Sequence, residues 1–333
     1  MRDEEILRLL RERSSDFLSG EEMSHLLKVS RTAIWKRVKH LRTLGYEIEA
    51  STHKGYRLVR SPDLLTPSEV SPLLKTKWIG RTIHYFHAID STNSKAYELA
   101  LAGAEEGEVV IAESQEKGRG RLGRKWFSPP FLNLYLSVIL RPKIPPHQAS
   151  LITLMAAVAT ADAVQKLSKL SPSIKWPNDI LLEGRKVAGL LNEIHSEMDR
   201  IHFVILGIGV NLNMGAKMFS KEIQEVATSL KKEMGQVISR KAFLQALLLE
   251  LEMWYEIFLK EGALPVLKAW RDRAQIEGRS VKVTSLGETL SGIAVDIDSD
   301  GALILEMGDG EQKRIVAGDV EYRREKVKVE VES

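Results

Sequence analysis

Residues 118–126, with the sequence GRGRLGRKW, combine three glycines with four fixed positive charges. Neighbouring cations repel one another until an anion lies among them, and glycines allow backbone N–H groups to approach that anion. This composition predicts a clamp for an anionic ligand, and we call residues 118–126 the clamp. A solvated basic loop is the alternative, but each glycine adds to the entropic cost of ordering such a loop.

Two nucleotide-binding patterns overlap the clamp, and the surrounding residues exclude both. Gly118 and Gly123 have Walker A spacing, but Arg124 and Lys125 stand where that motif requires lysine and a magnesium-binding hydroxyl. The glycines also fit G-x-G-x-x-G, which must open a helix directly after a strand. The sequence FSPP at 127–130 follows instead, and its prolines block a helix.

The composition of the whole chain sets the broad class. A length of 333 residues exceeds one ordinary core, so two or three domains are expected. With 44% hydrophobic and 28% charged residues, a well-packed soluble protein with no membrane partner is expected, while a net charge of +3 does not by itself indicate nucleic-acid binding. The absence of cysteine excludes disulfides, thiolate metal sites and a thioester on this chain. The charged start and the short apolar run 151–161 predict a cytoplasmic location.

Residues 1–62 predict a winged helix-turn-helix domain. Apolar residues recur at helical spacing over 4–13, a second helix begins near 19–22, and a third covers 31–44. Segments 46–50 and 56–59 flank a glycine turn and predict the wing. The third helix is expected to bury Ala33, Ile34, Val38 and Leu41.

The basic faces of the third helix and the wing predict binding to double-stranded operator DNA. The candidate contacts are Arg31, Thr32, Trp35, Lys36 and Lys39 on the helix, and Lys54 beside His53 on the wing. A small helical domain with a solvated basic face is the alternative.

Three prolines near residues 60–75 predict a linker or domain boundary. Strands then alternate with helices over a second predicted domain, residues 63–271. This alternation indicates an α+β domain on one mixed β-sheet. The predicted strands are 83–88, 108–113, 133–140, 174–176, 187–194 and 202–209, and the predicted helices are 92–102, 148–170 and 240–260. Residues 272–333 change to short strands with Asp-Gly turns, which predicts a C-terminal SH3-like β-barrel with a charged tail from Arg323.

Five motifs, in this order, are similar to those of biotin protein ligases: DSTN at 90–93, the clamp, KWPND at 175–179, KVAG at 186–189 and GIGVN at 207–211. The N-terminal portion resembles the DNA-binding domain of the bifunctional members, which also repress the biotin operon. The resemblance covers nearly the whole chain and implies the sheet of class II synthetases. It also implies that biotin and ATP form biotinyl-5′-adenylate and pyrophosphate, and that biotin then passes to a lysine of the biotin carboxyl carrier protein of acetyl-CoA carboxylase.

The resemblance implies catalytic roles for Lys186, Arg121 and Asp179. Arg119 and Arg121 surround the carboxylate and phosphate, and Lys186 lies where charge develops on the phosphoryl and carbonyl oxygens. Arg124, with Lys125, meets the leaving pyrophosphate. Asp179 is a candidate to receive the acceptor lysine's proton or to orient its amine.

Further ligand contacts are implied in the same way. Gly118, Gly120 and Gly189 line the ligand, and Asn178 assists the nucleotide phosphates and Mg²⁺, whose protein ligands the sequence leaves open. Asn211 matches an adenine–ribose contact. Arg323 matches an arginine that reaches toward the nucleotide, although Arg324 beside it leaves the register open.

The ureido ring of biotin has two hydrogen-bond donors and one acceptor, so its pocket requires short hydroxyls and amides. Ser91, Thr92, Asn93 and Gln115 supply these groups. A helix N-cap at 91–93 is the alternative, and one turn can serve both purposes. Trp126 is a candidate to cover the valeryl chain or adenine, with a place in the core as its alternative.

Ordering about eight clamp residues costs on the order of 8–16 kcal/mol, so we expect a mobile free clamp that adenylate orders. Ordered loops could complete a subunit interface, and an adenylate-bound homodimer would match a two-fold operator. The resemblance implies that the 187–194 strand edge pairs either with itself or with the acceptor domain.

Three other functions are weighed against this one. A lipoate-protein ligase shares the fold and the adenylate chemistry, although the arginine–glycine clamp argues against it. A transcription factor could sense biotin or its adenylate without transferring it. Measured catalytic turnover would distinguish a ligase from such a sensor. The third alternative is an RNA-binding protein that uses the basic clamp. The sequence does not show the aromatic stacking platform that binding of single strands would require.

Overall fold

The computed structural model describes residues 3–13, 16–274, 276–285 and 288–322. The chain forms two compact units, Met1–Leu73 and Leu74–Ser333. The division into three domains at residues 62 and 271 stays a prediction.

The N-terminal unit is a winged helix-turn-helix, as predicted. Its elements are α1 (Asp3–Glu12), α2 (Gly20–Leu27), α3 (Arg31–Thr43), the antiparallel wing strands β1 (Glu47–Ser51) and β2 (Gly55–Arg60), and α4 (Pro67–Val70). Ser19 and Ser30 begin α2 and α3 because their hydroxyls accept hydrogen bonds from backbone N–H groups three residues later, at 3.0 and 3.2 Å.

The core of this unit lies beneath α3. Ile34, Val38 and Leu41 are buried against α1, as expected, but Ala33 is only half-buried. Residues 34, 38 and 41 already form the apolar stripe of this helix, and Ala33 lies at its margin. The segment predicted as a linker is partly packed here too, because Glu69 in α4 is buried and pairs with Arg11 of α1.

The C-terminal unit is built on a seven-stranded mixed sheet with the order β3-β4-β5-β9-β8-β7-β6. Its strands are β3 (Ile83–Phe86), β4 (Val109–Ala112), β5 (Leu134–Leu140), β6 (Ser173–Lys175), β7 (Asp179–Leu182), β8 (Arg185–Ser196) and β9 (Ile201–Val210). Only β3 and β4 pair in parallel; the other neighbours are antiparallel. The short strand β7 was not predicted, because its first residue was assigned to a turn.

Helices cover the sheet and complete its core. They are α5 (Thr92–Leu101), α6 (Ala149–Ser168), α7 (Lys221–Gln224), α8 (Leu230–Met234), α9 (Arg240–Glu261) and α10 (Ala263–Ala274). The run Pro146–Ser168 is long and apolar enough for a membrane span by composition, but most of it is buried in the protein core. α10, which was not predicted, runs past residue 271.

The last part of the chain is a five-stranded antiparallel sheet with SH3-like character, as predicted. Its strands are β10 (Ser280–Ser285), β11 (Glu288–Ile297), β12 (Leu303–Glu306), β13 (Gln312–Ile315) and β14 (Asp319–Tyr322), in the order β13-β12-β11-β10-β14. β14 was missed. This domain contacts the hairpin between β6 and β7, where the Trp176 indole N–H donates to the carbonyl of Gly301 at 3.1 Å.

Candidate active site

The clamp folds back on itself as a short hairpin between β4 and β5. The Trp126 N–H donates to the Gly118 carbonyl at 2.8 Å, and the Gly120 N–H donates to the Arg124 carbonyl at 2.7 Å. A Cβ at Gly118 would lie 2.5 Å from the Trp126 carbonyl oxygen, so this close approach requires glycine. The hairpin presents the three clamp arginines to different partners.

Arg119 lies against α5 and β8. Its Nη2 donates to Glu193 Oε2 at 3.0 Å and to Ser94 Oγ at 3.1 Å. Glu193 was not predicted as part of the site, because a single glutamate in a strand resembles any surface charge in the sequence.

Arg121 and Arg124 extend to the C-terminal SH3-like domain. Arg121 Nη1 donates to the Gly318 carbonyl at 3.1 Å and lies 3.5 Å from Asn178 Oδ1, while Arg124 pairs with Asp319. Burial lowers the pKa of Arg121, and the carboxylates of Asp319 and Asp179 oppose that change. This half-buried cation lies beside the predicted phosphate contact Asn178.

Lys186 lies at the start of β8, where its ammonium has a carboxylate and an aromatic partner. Its Nζ lies 2.6 Å from Asp179 Oδ1 and 5.3 Å from the centroid of the Trp126 ring. The predicted catalytic residues Lys186 and Asp179 therefore form an ion pair. The Asp179 carboxylate also acts to raise the pKa of Arg121.

The Trp126 indole lies over two paired glycines of the sheet. Gly189 on β8 and Gly209 on β9 are directly opposite, and a Cβ at either would lie 3.0 or 2.6 Å from the indole. The indole Nε1 is buried and has no hydrogen-bond partner among the described residues. Because glycine has no side chain, these two positions leave a flat surface on which an aromatic ring can lie.

The four predicted ureido contacts lie around the start of α5. Gln115 Oε1 accepts hydrogen bonds from the N–H and hydroxyl of Thr92, at 2.8 and 3.1 Å, and Gln115 Nε2 donates to Ser128 Oγ at 3.0 Å. Ser91 is the N-cap residue, but its side chain makes no capping hydrogen bond. Its hydroxyl is thus not used by the N-cap alternative.

Asn93, the fourth predicted ureido contact, is bonded within the protein at both ends of its amide. Its Oδ1 accepts from Ser137 Oγ at 2.6 Å, while its Nδ2 donates to Glu193 Oε2 at 2.7 Å and to the Leu191 carbonyl at 3.3 Å. Gly207 makes room for it, since a Cβ there would lie 2.1 Å from Asn93 Oδ1. The side chain spans three strands of the sheet.

Asn178 and Asp179 end the connection between β6 and β7, after a cis peptide bond at Trp176–Pro177. Asn178 is buried and its Nδ2 donates to the Leu190 carbonyl at 2.6 Å. A cavity of about 130 Å³ opens beside Asn178 and Arg121, with Gly301 and Val316 of the SH3-like domain on its far wall.

Asn211 follows β9 and connects three segments near Lys186. Its side chain accepts from Asn133 Nδ2 at 3.4 Å and donates to the Thr228 carbonyl at 3.1 Å. Residues 226–228 in turn pair with the Lys186 backbone, since the Lys186 N–H donates to the Val226 carbonyl at 2.8 Å. Asn133 and Thr228 were not predicted, because their contacts join residues far apart in the sequence.

The remaining predicted site residues lie elsewhere or outside the described residues. Arg323 lies outside them. In the N-terminal unit the predicted DNA contacts on α3 and the wing are all exposed: Arg31, Thr32, Trp35, Lys36, Lys39 and Lys54. The ammonium of Lys39 lies 5.5 Å from the centroid of Trp35. Among the described residues no group of three or more His, Cys, Asp or Glu could hold a metal ion.

Comparisons with known proteins match all three parts of the chain. The family described as Biotin/lipoate A/B protein ligase matches residues 85–211, an HTH domain matches 2–57, and the Biotin protein ligase C terminal domain matches 277–323. Bifunctional ligase/repressor BirA of Bacillus spizizenii is 39% identical over 317 residues, which are 95% of this chain and 97% of that protein. The protein of the same name from Escherichia coli is 33% identical over 311 residues, covering 93% of this chain and 94% of that protein.

The fold is also similar to solved structures. The biotin protein ligase of Aquifex aeolicus, solved in complex with biotin and ATP, has a TM-score of 0.63 at 26% identity. That similarity covers 73% of this chain and 99% of the Aquifex chain.

Proposed function

The chain belongs to the family of bifunctional biotin ligases and repressors, and we propose that its clamp, Lys186 and Asp179 form the centre where biotin is activated and transferred. The ligase uses biotin and ATP, and the winged helix-turn-helix gives it the DNA-binding half of a repressor. The Lys186–Asp179 ion pair beside Trp126 carries this proposal, because it places a cation, a carboxylate and an aromatic wall together.

The first step brings two anions into contact. A carboxylate oxygen of biotin attacks the α-phosphorus of ATP, a new O–P bond forms, and the bond to the pyrophosphate oxygen breaks. Repulsion between the two anions is worth roughly 4 kcal/mol at 4 Å and an effective dielectric near 20. Arg119, Arg121 and Lys186 offset this repulsion, and Arg124 stabilises the departing pyrophosphate.

The second step transfers biotin to an amine. The acceptor lysine's nitrogen attacks the acyl carbon, the C–N bond forms, and AMP leaves with the bonding electron pair. The ammonium product of this attack must lose a proton, and Asp179 is the carboxylate available at this centre. Its contact with Lys186 Nζ at 2.6 Å holds the carboxylate at this centre, where it can accept the proton or orient the amine.

Ligand recognition divides between the two sides of the clamp. Ser91, Thr92 and Gln115 are proposed to bind the ureido ring, with Asn93 holding the turn that presents them. Trp126, over Gly189 and Gly209, covers the apolar chain of biotin or the adenine ring. The backbone at Gly118 and Gly120 lines the reacting groups.

The nucleotide is proposed to lie toward Asn178 and Asn211, and Arg323 is proposed as a further nucleotide contact. Mg²⁺ would accompany ATP and neutralise charge on its phosphates. Amide and carboxylate oxygens of Asn178 and Asp179 are the hard ligands this site offers, and Mg²⁺ commonly takes one or two protein ligands plus phosphate oxygens.

The partners follow from the same chemistry. We propose the biotin carboxyl carrier protein of acetyl-CoA carboxylase as the acceptor and a two-fold operator as the DNA partner, which the protein binds in the cytoplasm as an adenylate-bound homodimer. The exposed residues Lys39 on α3 and Lys54 on the wing would contact phosphate.

Two measurements test these halves. Transfer of labelled biotin from Mg-ATP and biotin to an acceptor domain should occur with the wild type; retention of adenylate without transfer would instead indicate a sensor. For the DNA half, Lys39→Ala and Lys54→Ala should each lower the salt slope of operator binding by about one. Unchanged affinity and slope in both variants would show that the groove assignment is wrong.

A further inference from the structure

Glu193 connects the clamp to strand β8 of the sheet. It lies on β8 opposite Ile205, and its Oε2 accepts from Arg119 Nη2 at 3.0 Å and from Asn93 Nδ2 at 2.7 Å. One carboxylate oxygen therefore holds a clamp arginine and the turn at the start of α5 together.

The Asn93 side of this contact is rigid. Asn93 is buried, its Oδ1 is bonded to Ser137, and Gly207 lies directly beneath it. Ser137, Gly207 and Leu191 are neighbours in register across β5, β9 and β8. Glu193 is thus fixed by a buried amide that the sheet itself positions.

The Arg119 side is open. Its side chain is 45% exposed, and both of its hydrogen bonds are made through Nη2. Nε and Nη1 consequently have no acceptor among the described residues. A guanidinium held through one terminal nitrogen keeps the N–H groups of its other two nitrogens for hydrogen bonds to an anion.

We propose that Glu193 is a positioning residue, which fixes Arg119 so that the remaining N–H groups of its guanidinium bind the carboxylate of biotin. The inference rests on the proposed role of Arg119 in binding that carboxylate. It assigns to β8 a residue that sets the affinity for the anionic form of the substrate, without touching the substrate itself.

A double-mutant cycle on the full chain tests this inference, with biotin binding measured by calorimetry in the absence of ATP. Glu193→Ala should weaken biotin binding about tenfold, whereas Glu193→Gln, which keeps an acceptor for Arg119 and Asn93, should stay within about threefold. Binding of the neutral analogue biotinamide should be unchanged in both. Glu197→Ala, an exposed glutamate one residue beyond the end of β8, is the control and should match the wild type.

The decisive comparison uses an Arg119→Ala background. There Glu193→Ala should cause no further loss, since the arginine it positions is gone. A full additional tenfold loss, or an equal loss for biotinamide, would show a structural role and overturn the proposal. If Arg119→Ala itself leaves biotin binding unchanged, the carboxylate assignment fails together with it. Glu193→Asp, which keeps the charge but shortens the reach, serves if the alanine variant does not fold, and wild-type affinity there would also overturn the proposal.

Discussion

Lys186 shows how single residues combine in this site. Its ammonium lies between the Asp179 carboxylate and the face of Trp126, and the neighbouring Gly189 leaves the space its side chain needs. A Cβ at Gly189 would lie 3.0 Å from Lys186 Nζ. The lysine is thus held in one place before any ligand arrives, which reduces the reorganisation required in the transition state.

We predict that Lys186→Ala lowers kcat for biotinyl-adenylate formation by about 10²–10³, because one preorganised donor to the developing charge is lost. Biotin binding without ATP should change less than threefold. Pyrophosphate release measures the rate, and Lys95→Ala, which removes a half-buried lysine paired with Glu98 on α5, is the control. A rate within threefold of wild type would exclude the proposed role.

Sequence motifs identified the proposed ligand contacts but not the residues that hold them in place. The types and spacing of the arginines, lysine and glycines in the clamp and in KVAG indicate binding of an anionic ligand. Glu193, Ser137 and Asp319 do not, since each acts through a partner far away in the chain. Such pairings are set by strand register, which no local pattern contains.

At the scale of elements, β8 and β9 form the floor of the site. Gly189 and Gly209 lie opposite each other, and the Trp126 ring covers both. A side chain at either position would lift the indole from the sheet and change the volume beneath the clamp.

Gly209→Ala is therefore expected to weaken biotin and adenylate binding at least tenfold, with little loss of folding stability. The new methyl would lie 2.6 Å from the indole, which must move. Gly215→Ala, where nothing lies within 4 Å of the added Cβ, is the matched control. Equilibrium binding and thermal melting of both variants separate a loss of binding from a loss of stability. Unchanged binding by Gly209→Ala would contradict the proposed role of Gly189 and Gly209 as the floor of the site.

A second element, the turn Asp298–Ala302, places the SH3-like domain beside the site. Asp298 Oδ1 accepts from the N–H groups of Asp300 and Ala302, both at 2.9 Å, and its other oxygen pairs with Arg314. Burial alone would raise the pKa of Asp298, but these hydrogen bonds and the Arg314 charge outweigh it and lower the pKa. The turn then offers the Gly301 carbonyl to Trp176.

Asp298→Asn should consequently destabilise the protein by about 1–3 kcal/mol near neutral pH. Because the folded-state pKa is lowered, this contribution is present above the unfolded value of about 3.9 and is lost as pH falls through the folded value. Melting temperatures of wild type and variant should differ at pH 7 and converge toward pH 3. Asp309→Asn, in an exposed turn, is the control, and a difference that persists unchanged at low pH would contradict the argument.

Elements with a sustained hydrophobic pattern were predictable, and those whose local pattern is interrupted were not. The helices and strands with sustained periodicity, such as α9 and β9, appear where the pattern placed them. β7 begins directly after the predicted turn, β14 begins directly after Gly318, and α10 has Pro265 three residues after Gly262, so the local signal for each was broken. Tertiary pairing, rather than propensity, decides those segments.

At the scale of the whole molecule, ligand occupancy is expected to control assembly. Adenylate that engages the clamp arginines would order the loops beside the free edge of β8, and a dimer would align two winged helices with a two-fold operator. Sedimentation should show tighter self-association with biotinyl-adenylate than without it. Identical self-association in both conditions would contradict control of dimerisation by the adenylate.

The most direct test of the central claim is native mass spectrometry of the full chain after incubation with Mg-ATP and either biotin or lipoate. We predict a retained biotinyl-adenylate that disappears when an acceptor domain gains biotin, and no retained adduct with lipoate. A lipoyl-adenylate, or no adduct with either acid, would contradict the assignment of the clamp as the centre of biotin activation.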